Sequence, residues 1–106
     1  MGTSAIEARE AELPKFRIIT VSDQTPEPSG LVEVTPNAGR VLFQNNDPVE
    51  YRIRLVPRDN PATIDLLLPA RGSVTVIIKK NDEFFYSLLD PFTGQTITTS
   101  SGPIKN

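Results

Sequence analysis

From Lys15 onward, apolar and polar residues alternate with a period of two in short runs, the pattern of strands that bury one face. The clearest run is Tyr51 to Val56, with Tyr51, Ile53 and Leu55 on one face and Arg52 and Arg54 on the other. The arginines mark the solvent side. Phe84, Tyr86 and Leu88 share a face in a later run, as do Val41 and Phe43, and Ile64, Leu66 and Leu68. Val74, Val76 and Ile78 are expected to face inward against Ser73 and Thr75. At the start, Phe16, Ile18 and Thr20 alternate with Arg17, Ile19 and Val21, and the period does not say which set is buried. Leu31 to Val34 reads as a short strand, and Ile97 and Ile104 fall in short terminal strands.

Turn formers separate these runs: Ser22 to Gly30, Thr35 to Gly39, Asn45 to Pro48, Pro57 to Pro61, Pro69 to Gly72, Lys79 to Asp82 and Asp90 to Gly94. Strand-sized segments therefore recur about every ten residues, with no helical stretch long enough for a crossover. The spacing predicts an all-β domain of about seven or eight short strands, an antiparallel sandwich or barrel, with a Greek-key sandwich of immunoglobulin-like type as the leading expectation. Before Pro14 the pattern changes. Ser4 and Glu7 make a capping box and Ala5 to Leu13 is rich in helix formers, so residues 1–14 read as a short helix or a flexible segment ahead of one domain over residues 15–106.

Composition narrows the chemistry. The 106 residues contain no His, no Cys and no Trp, and 11 Lys plus Arg against 13 Asp plus Glu give a net charge of −2. Without His or Cys the commonest general base, the commonest metal ligand and the thiolate nucleophile are all missing. The basic residues are scattered, leaving no footprint for a nucleic-acid backbone. The apolar runs are too short to span a membrane, so neither nucleic acid nor membrane insertion is expected. The start of the chain as given shows no basic region followed by an apolar run of the kind a signal peptide has. No phosphate loop, zinc spacing, EF-hand loop or nucleophile elbow occurs. Asp82-Glu83 is the one adjacent acidic pair, but neighbours on a strand face opposite ways, and the pair reads as a solvated turn. Lys79-Lys80 reads as a guard against strand addition at an edge or turn.

Two stretches carry a family resemblance. Gly39 to Leu55 (GRVLFQNNDPVEYRIRL) is similar to the strand pair of the cupredoxins, the plastocyanin-like copper sandwiches, in which Phe, Asn, Asn, Asp and Pro precede a ligand His. Tyr51 stands at that position. Asp82 to Leu89 (DEFFYSLL) resembles the strand that leads alternating aromatics into the copper-binding Cys, whose place falls to Leu88. The usual ligand-loop spacing then puts Pro91 at the second His and Gly94 at the axial Met, or Asp90 at the His if Asp90-Pro91 matches the family's His-Pro pair. The closing stretch Ser101 to Lys105 is also similar, which implies that Asp90 to Ser100 forms a longer loop than the family's ligand loop. The resemblance covers residues 31–106 and implies a cupredoxin-like fold with a periplasmic or secreted setting.

Blue copper requires two imidazoles and a thiolate, and this chain has neither residue type. No cofactor and no metal are expected. The pole is expected to be filled by Tyr51, Leu88 and Phe92, so that apolar packing replaces the coordination bonds, with a small-ligand pocket at the same pole as the competing expectation. The leading expectation is a non-catalytic, copper-free binding or structural module that meets another protein through loops at one end, with Tyr51, Glu50, Asp90 and Phe92 as its interaction pole. An exposed apolar patch around Phe92, Pro26 and Pro28 would mark it. Two alternatives remain. One is a carboxylate-based hydrolase or hard-metal site built from Glu50, Asp82 and Asp90, and the other is a non-catalytic fragment of a larger exported protein.

Overall fold

The computed structural model describes residues 16–35 and 39–106. The expected Ser4 to Leu13 helix and the middle of the Thr35 to Gly39 turn lie outside the described residues. Nine strands are present among them: β1 (Phe16–Ser22), β2 (Thr25–Glu27), β3 (Val32–Glu33), β4 (Gly39–Asn45), β5 (Tyr51–Pro57), β6 (Ile64–Leu68), β7 (Ser73–Ile78), β8 (Glu83–Leu89) and β9 (Thr96–Lys105). They form a four-stranded sheet in the order β2-β1-β4-β7 and a five-stranded sheet in the order β3-β9-β8-β5-β6. The strand beyond the expected seven or eight is β2, a short piece inside the proline-bearing segment Ser22 to Gly30, whereas β3 falls within the short strand expected over Leu31 to Val34.

Both sheets are mixed, which departs from the purely antiparallel expectation. β1 runs parallel to β4, with Phe16 opposite Arg40 and Val21 opposite Asn45, and β3 runs parallel to β9. The reason lies in the path between β1 and β4. The chain folds back as β2, passes through β3 in the other sheet and returns to lie beside β1, so a parallel neighbour arises without a crossover helix. Alternation in the sequence reports which face is buried and is silent on strand direction.

The inner faces meet in one apolar core. Ile19 and Val21 settle the inward set of β1. They join Val41, Phe43 and Ile78 from the first sheet against Tyr51, Ile53, Leu55, Leu68, Phe84, Tyr86, Leu88 and Ile104 from the second. Phe43 and Tyr86 span the two sheets edge to face, ring centroids 5.3 Å apart, an arrangement that the ring quadrupoles favour. Phe16 and Ile18 point outward and are exposed. Ile64, expected inward, is also exposed because it begins the edge strand β6 and has core on one side only. Ile97 and Ile104 belong to one ten-residue strand and not two short ones. Three register shifts against β8 let β9 run on through Gly102, whose φ of 107° suits glycine.

Register also fixes which loops share an end. β1 and β4 finish together, β7 starts beside Gln44, β5 starts beside the end of β6, and β8 finishes beside Arg52. Residues 23–24, 46–50, 69–72 and 90–95 thus gather at one end of the sandwich, called the Asp47 end below. Residues 58–63 and 79–82 lie at the other.

Candidate functional site

The Asp47 end is built around a hydrogen-bonded knot. Asn45, the last residue of β4, is buried, and its side-chain amide donates to the Val49 carbonyl (2.7 Å) and the Pro69 carbonyl (3.0 Å). Its side-chain oxygen accepts from the Asp47 N–H at 2.8 Å. This bends the chain sharply after the strand and turns the Asp47 side chain back toward β1. Pro48, with no N–H to satisfy, fits the step into β5.

The Asp47 carboxylate then takes three donors. The Asp23 N–H donates to Oδ1 (2.8 Å), the Gln24 N–H to Oδ2 (3.0 Å), and the Tyr51 hydroxyl to Oδ2 (2.6 Å). Asp23 and Gln24 have φ of 51° and 63°, the left-handed region that costs a non-glycine residue about 1–2 kcal/mol. The carboxylate faces the two N–H groups of this tight β1–β2 turn and helps hold it. The Tyr51 hydrogen bond, the two N–H donors and the charge of Arg71 draw the Asp47 carboxyl below the ordinary carboxylate range against a smaller opposing effect of burial. Burial first, and the Asp47 carboxylate second, push the Tyr51 phenol well above its ordinary value.

Tyr51 is 2% exposed, so its ring lies in the core and its hydroxyl at the loop end, as the alternation predicts. Leu88 is likewise buried. Phe92 departs from expectation: it is 86% exposed and does not fill the pole. The reason is the tightness of its turn. Asp90 Oδ1 accepts from the Phe92 and Thr93 N–H groups (2.8 and 3.1 Å), its carbonyl accepts from the Gly94 N–H (2.8 Å), and its own N–H donates to the Gln95 carbonyl (2.8 Å). Gly94 supplies the φ of 74° that closes it. The expected long loop from Asp90 to Ser100 is therefore a short turn ending at Gln95, and the Thr-rich residues after it pair as β9.

The remaining expected residues are dispersed. Glu50 and Asp90 are half-buried at the Asp47 end, while Asp82 sits at the opposite end beside the start of β8. These three carboxylates do not converge, and among the described residues no group of three His, Cys, Asp or Glu side chains could hold a metal ion. Asp82 and Glu83 also part company. Asp82 accepts from the Lys79 N–H (2.9 Å), whereas Glu83 faces Arg58 (3.3 Å) and Lys105 (3.7 Å). The proposed patch around Pro26 and Pro28 is absent because β2 folds Pro26 against Val21, where it is buried. The Pro28 carbonyl accepts from the Tyr86 hydroxyl (3.3 Å), and burial raises that phenol to about 12. The exposed apolar residues at the Asp47 end include Phe92, Pro48 and Val49. Sequence reading missed Asp47 as the organising residue. The signal available was its place in Asn-Asn-Asp-Pro, four residues before a tyrosine of inward parity.

Comparison with solved structures finds a substituted amicyanin in its reduced Cu(I) form at pH 4, matched over 83% of this chain and 80% of that one with a TM-score of 0.61 at 11% identity. The chain has a cupredoxin-like fold. No protein-family model matches it, and no curated protein shows significant sequence similarity to it. A cupredoxin-like sandwich implies copper at the loop end, and the residues here do not fit it. The chain holds no imidazole or thiolate, Leu88 offers only hydrocarbon, and the Asp47 oxygens already receive three donors.

Proposed function

We propose that this cupredoxin-like domain is a copper-free, non-catalytic binding module that docks another protein through its Asp47 end. The observation that carries this reading is Phe92, a large aromatic 86% exposed on a turn whose backbone is pinned by Asp90 and Gly94. Buried aromatic anchors dominate protein interfaces, and a side chain on a pinned turn loses little conformational freedom on docking. Val49 and Pro48 add apolar surface at the same end, and half-buried Glu50 and Asp90 provide a polar border. The Asp47 knot supplies the rigidity that copper coordination would otherwise give, tying residues 23–24, 47–51 and 69–72 together.

The test is a paired capture from the source organism's extract with the wild-type chain and Phe92→Glu. The reading expects a discrete partner retained by the wild type and lost by the variant, with both proteins melting at the same temperature. A partner retained equally by both would refute the role of this end. Exchange of Asp82→Asn, at the opposite end, should leave capture unchanged.

A further inference from the structure

One flank of the sandwich has both of its strand edges open. Among the described residues β7 pairs on one side only, with β4, and β6 on one side only, with β5. The turn at residues 69–72 joins them, so the two open edges lie on the same flank. The inward side chains Leu66, Val74 and Val76 pack on the core yet stay half-buried, so the core is incompletely covered along this flank. On the outer side of β7, Ile77 is 69% exposed.

The two edges differ in how they are protected. β6 carries Asp65, held by Arg54 in a two-point ion pair at 2.9 Å. β7 reads SVTVII, with no charge and no proline, and pairs with β4 in six consecutive steps without a bulge. Sheet edges are ordinarily blunted by charge, proline or a bulge within the strand, and β7 has none of these. Lys79 and Lys80, read from the sequence as an edge guard, lie past its end in the turn to β8. Arg71 lies just before its start. All three are exposed and none has a carboxylate at ion-pairing distance among the described residues.

We propose that β7 is a strand-addition site for a partner segment of matching length, uncharged and β-branched at its centre and acidic at both ends. Such a segment pairs along Ser73–Ile78, and its inward side chains cover Val74, Val76 and Leu66. Its acidic ends face Arg71 on one side and Lys79 and Lys80 on the other. Backbone pairing supplies affinity, and alternate side chains supply specificity. The same charges argue against a second copy as the occupant. Symmetric antiparallel pairing about Thr75 would set Arg71 of one copy against Lys79 of the other, base against base.

The experiment uses the full chain and a fluorescein-labelled synthetic peptide, Asp-Asp-Val-Thr-Val-Thr-Val-Asp-Asp, followed by fluorescence polarisation and by amide chemical-shift mapping. Saturable binding with shifts confined to residues 71–80 and β6 is expected. A peptide with the same centre and lysine ends should bind about tenfold more weakly at low salt, the gap shrinking as salt rises. The double change Lys79→Glu with Lys80→Glu should remove that preference, and Ile77→Lys should weaken both peptides. Phe92→Glu should leave binding unchanged, which separates this site from the Asp47 end. Absence of saturable binding up to millimolar peptide, indifference to the end charges, or shifts centred on the Asp47 end would each overturn the proposal. So would sedimentation showing that the protein already dimerises through β7.

Discussion

Replacing Asp47 with Ala removes the acceptor of three hydrogen bonds at once, and the structure sets the size of the loss. The Tyr51 hydroxyl is buried on a residue 2% exposed, and leaving such a donor unsatisfied costs about 1–3 kcal/mol. The Asp23 and Gln24 N–H groups lie on an exposed turn where water replaces the carboxylate, so each adds only about 0.5–1 kcal/mol. The total is about 3 kcal/mol. For a domain of this size that corresponds to a drop in Tm of roughly 12–24 °C. Urea unfolding followed by far-UV circular dichroism at pH 7 measures it. Tyr51→Phe alone should cost about 1 kcal/mol, and the double variant should lose less than the sum, with a coupling of about 1–2 kcal/mol. If Asp47→Ala costs under about 0.5 kcal/mol, or the two changes add without coupling, the knot is not what holds this end together.

The same carboxylate shapes the acid limb. Its folded-state pKa lies below its unfolded value of about 3.9, so its contribution is fully present above that value and is lost as pH falls through the lowered pKa. Wild-type stability should therefore fall more steeply than that of Asp47→Asn below about pH 4, measured by melts across the acid range. Tyr51→Ala should cost about 3–5 kcal/mol and Arg52→Ala, on the outer face of β5, under about 0.5 kcal/mol in denaturant melts. A Cβ added at Gly39 would sit 2.5 Å from Val34 Cγ2 and 2.7 Å from the Thr35 carbonyl, whereas one at Gly30 meets nothing within 4 Å. Gly39→Ala should accordingly lose about 1–3 kcal/mol by overpacking while Gly30→Ala stays near neutral.

How much of this was legible in the sequence depends on what alternation can carry. Where a strand has neighbours on both sides, parity alone gives the buried set, as with Tyr51, Ile53 and Leu55 in β5 and Phe84, Tyr86 and Leu88 in β8. At edges it fails. Ile64 has inward parity and an exposed side chain, and Val74 and Val76 are only half covered, because burial there depends on a neighbouring strand that the sequence does not announce. Leu89 escapes the rule differently: it has outward parity yet is buried beside a register shift between β8 and β9. The parallel pairing of β1 with β4 was invisible because direction leaves no mark on a period of two.

The candidate site divides in the same way. Tyr51 was legible as a core ring with its hydroxyl at the loop end. Asp47 was not, since two of its three donors come from residues 23 and 24, brought to it only by the parallel ladder. Phe92 was named as part of the pole, but its direction followed from the Asp90 and Gly94 hydrogen bonds that close the turn. Apolar residues in turns point inward or outward according to turn geometry, which composition does not specify.

The central proposal is that hydrogen bonds to Asp47, with no copper, hold the loop end of this sandwich together. Elemental analysis after exposure to excess copper and removal of free metal tests it most directly. The account predicts copper far below one equivalent per chain and the same unfolding curve before and after exposure. Stoichiometric copper retained by the wild type and lost in Asp47→Ala or Tyr51→Phe would contradict it, placing a metal where the structure places a carboxylate, a phenol and two backbone N–H groups.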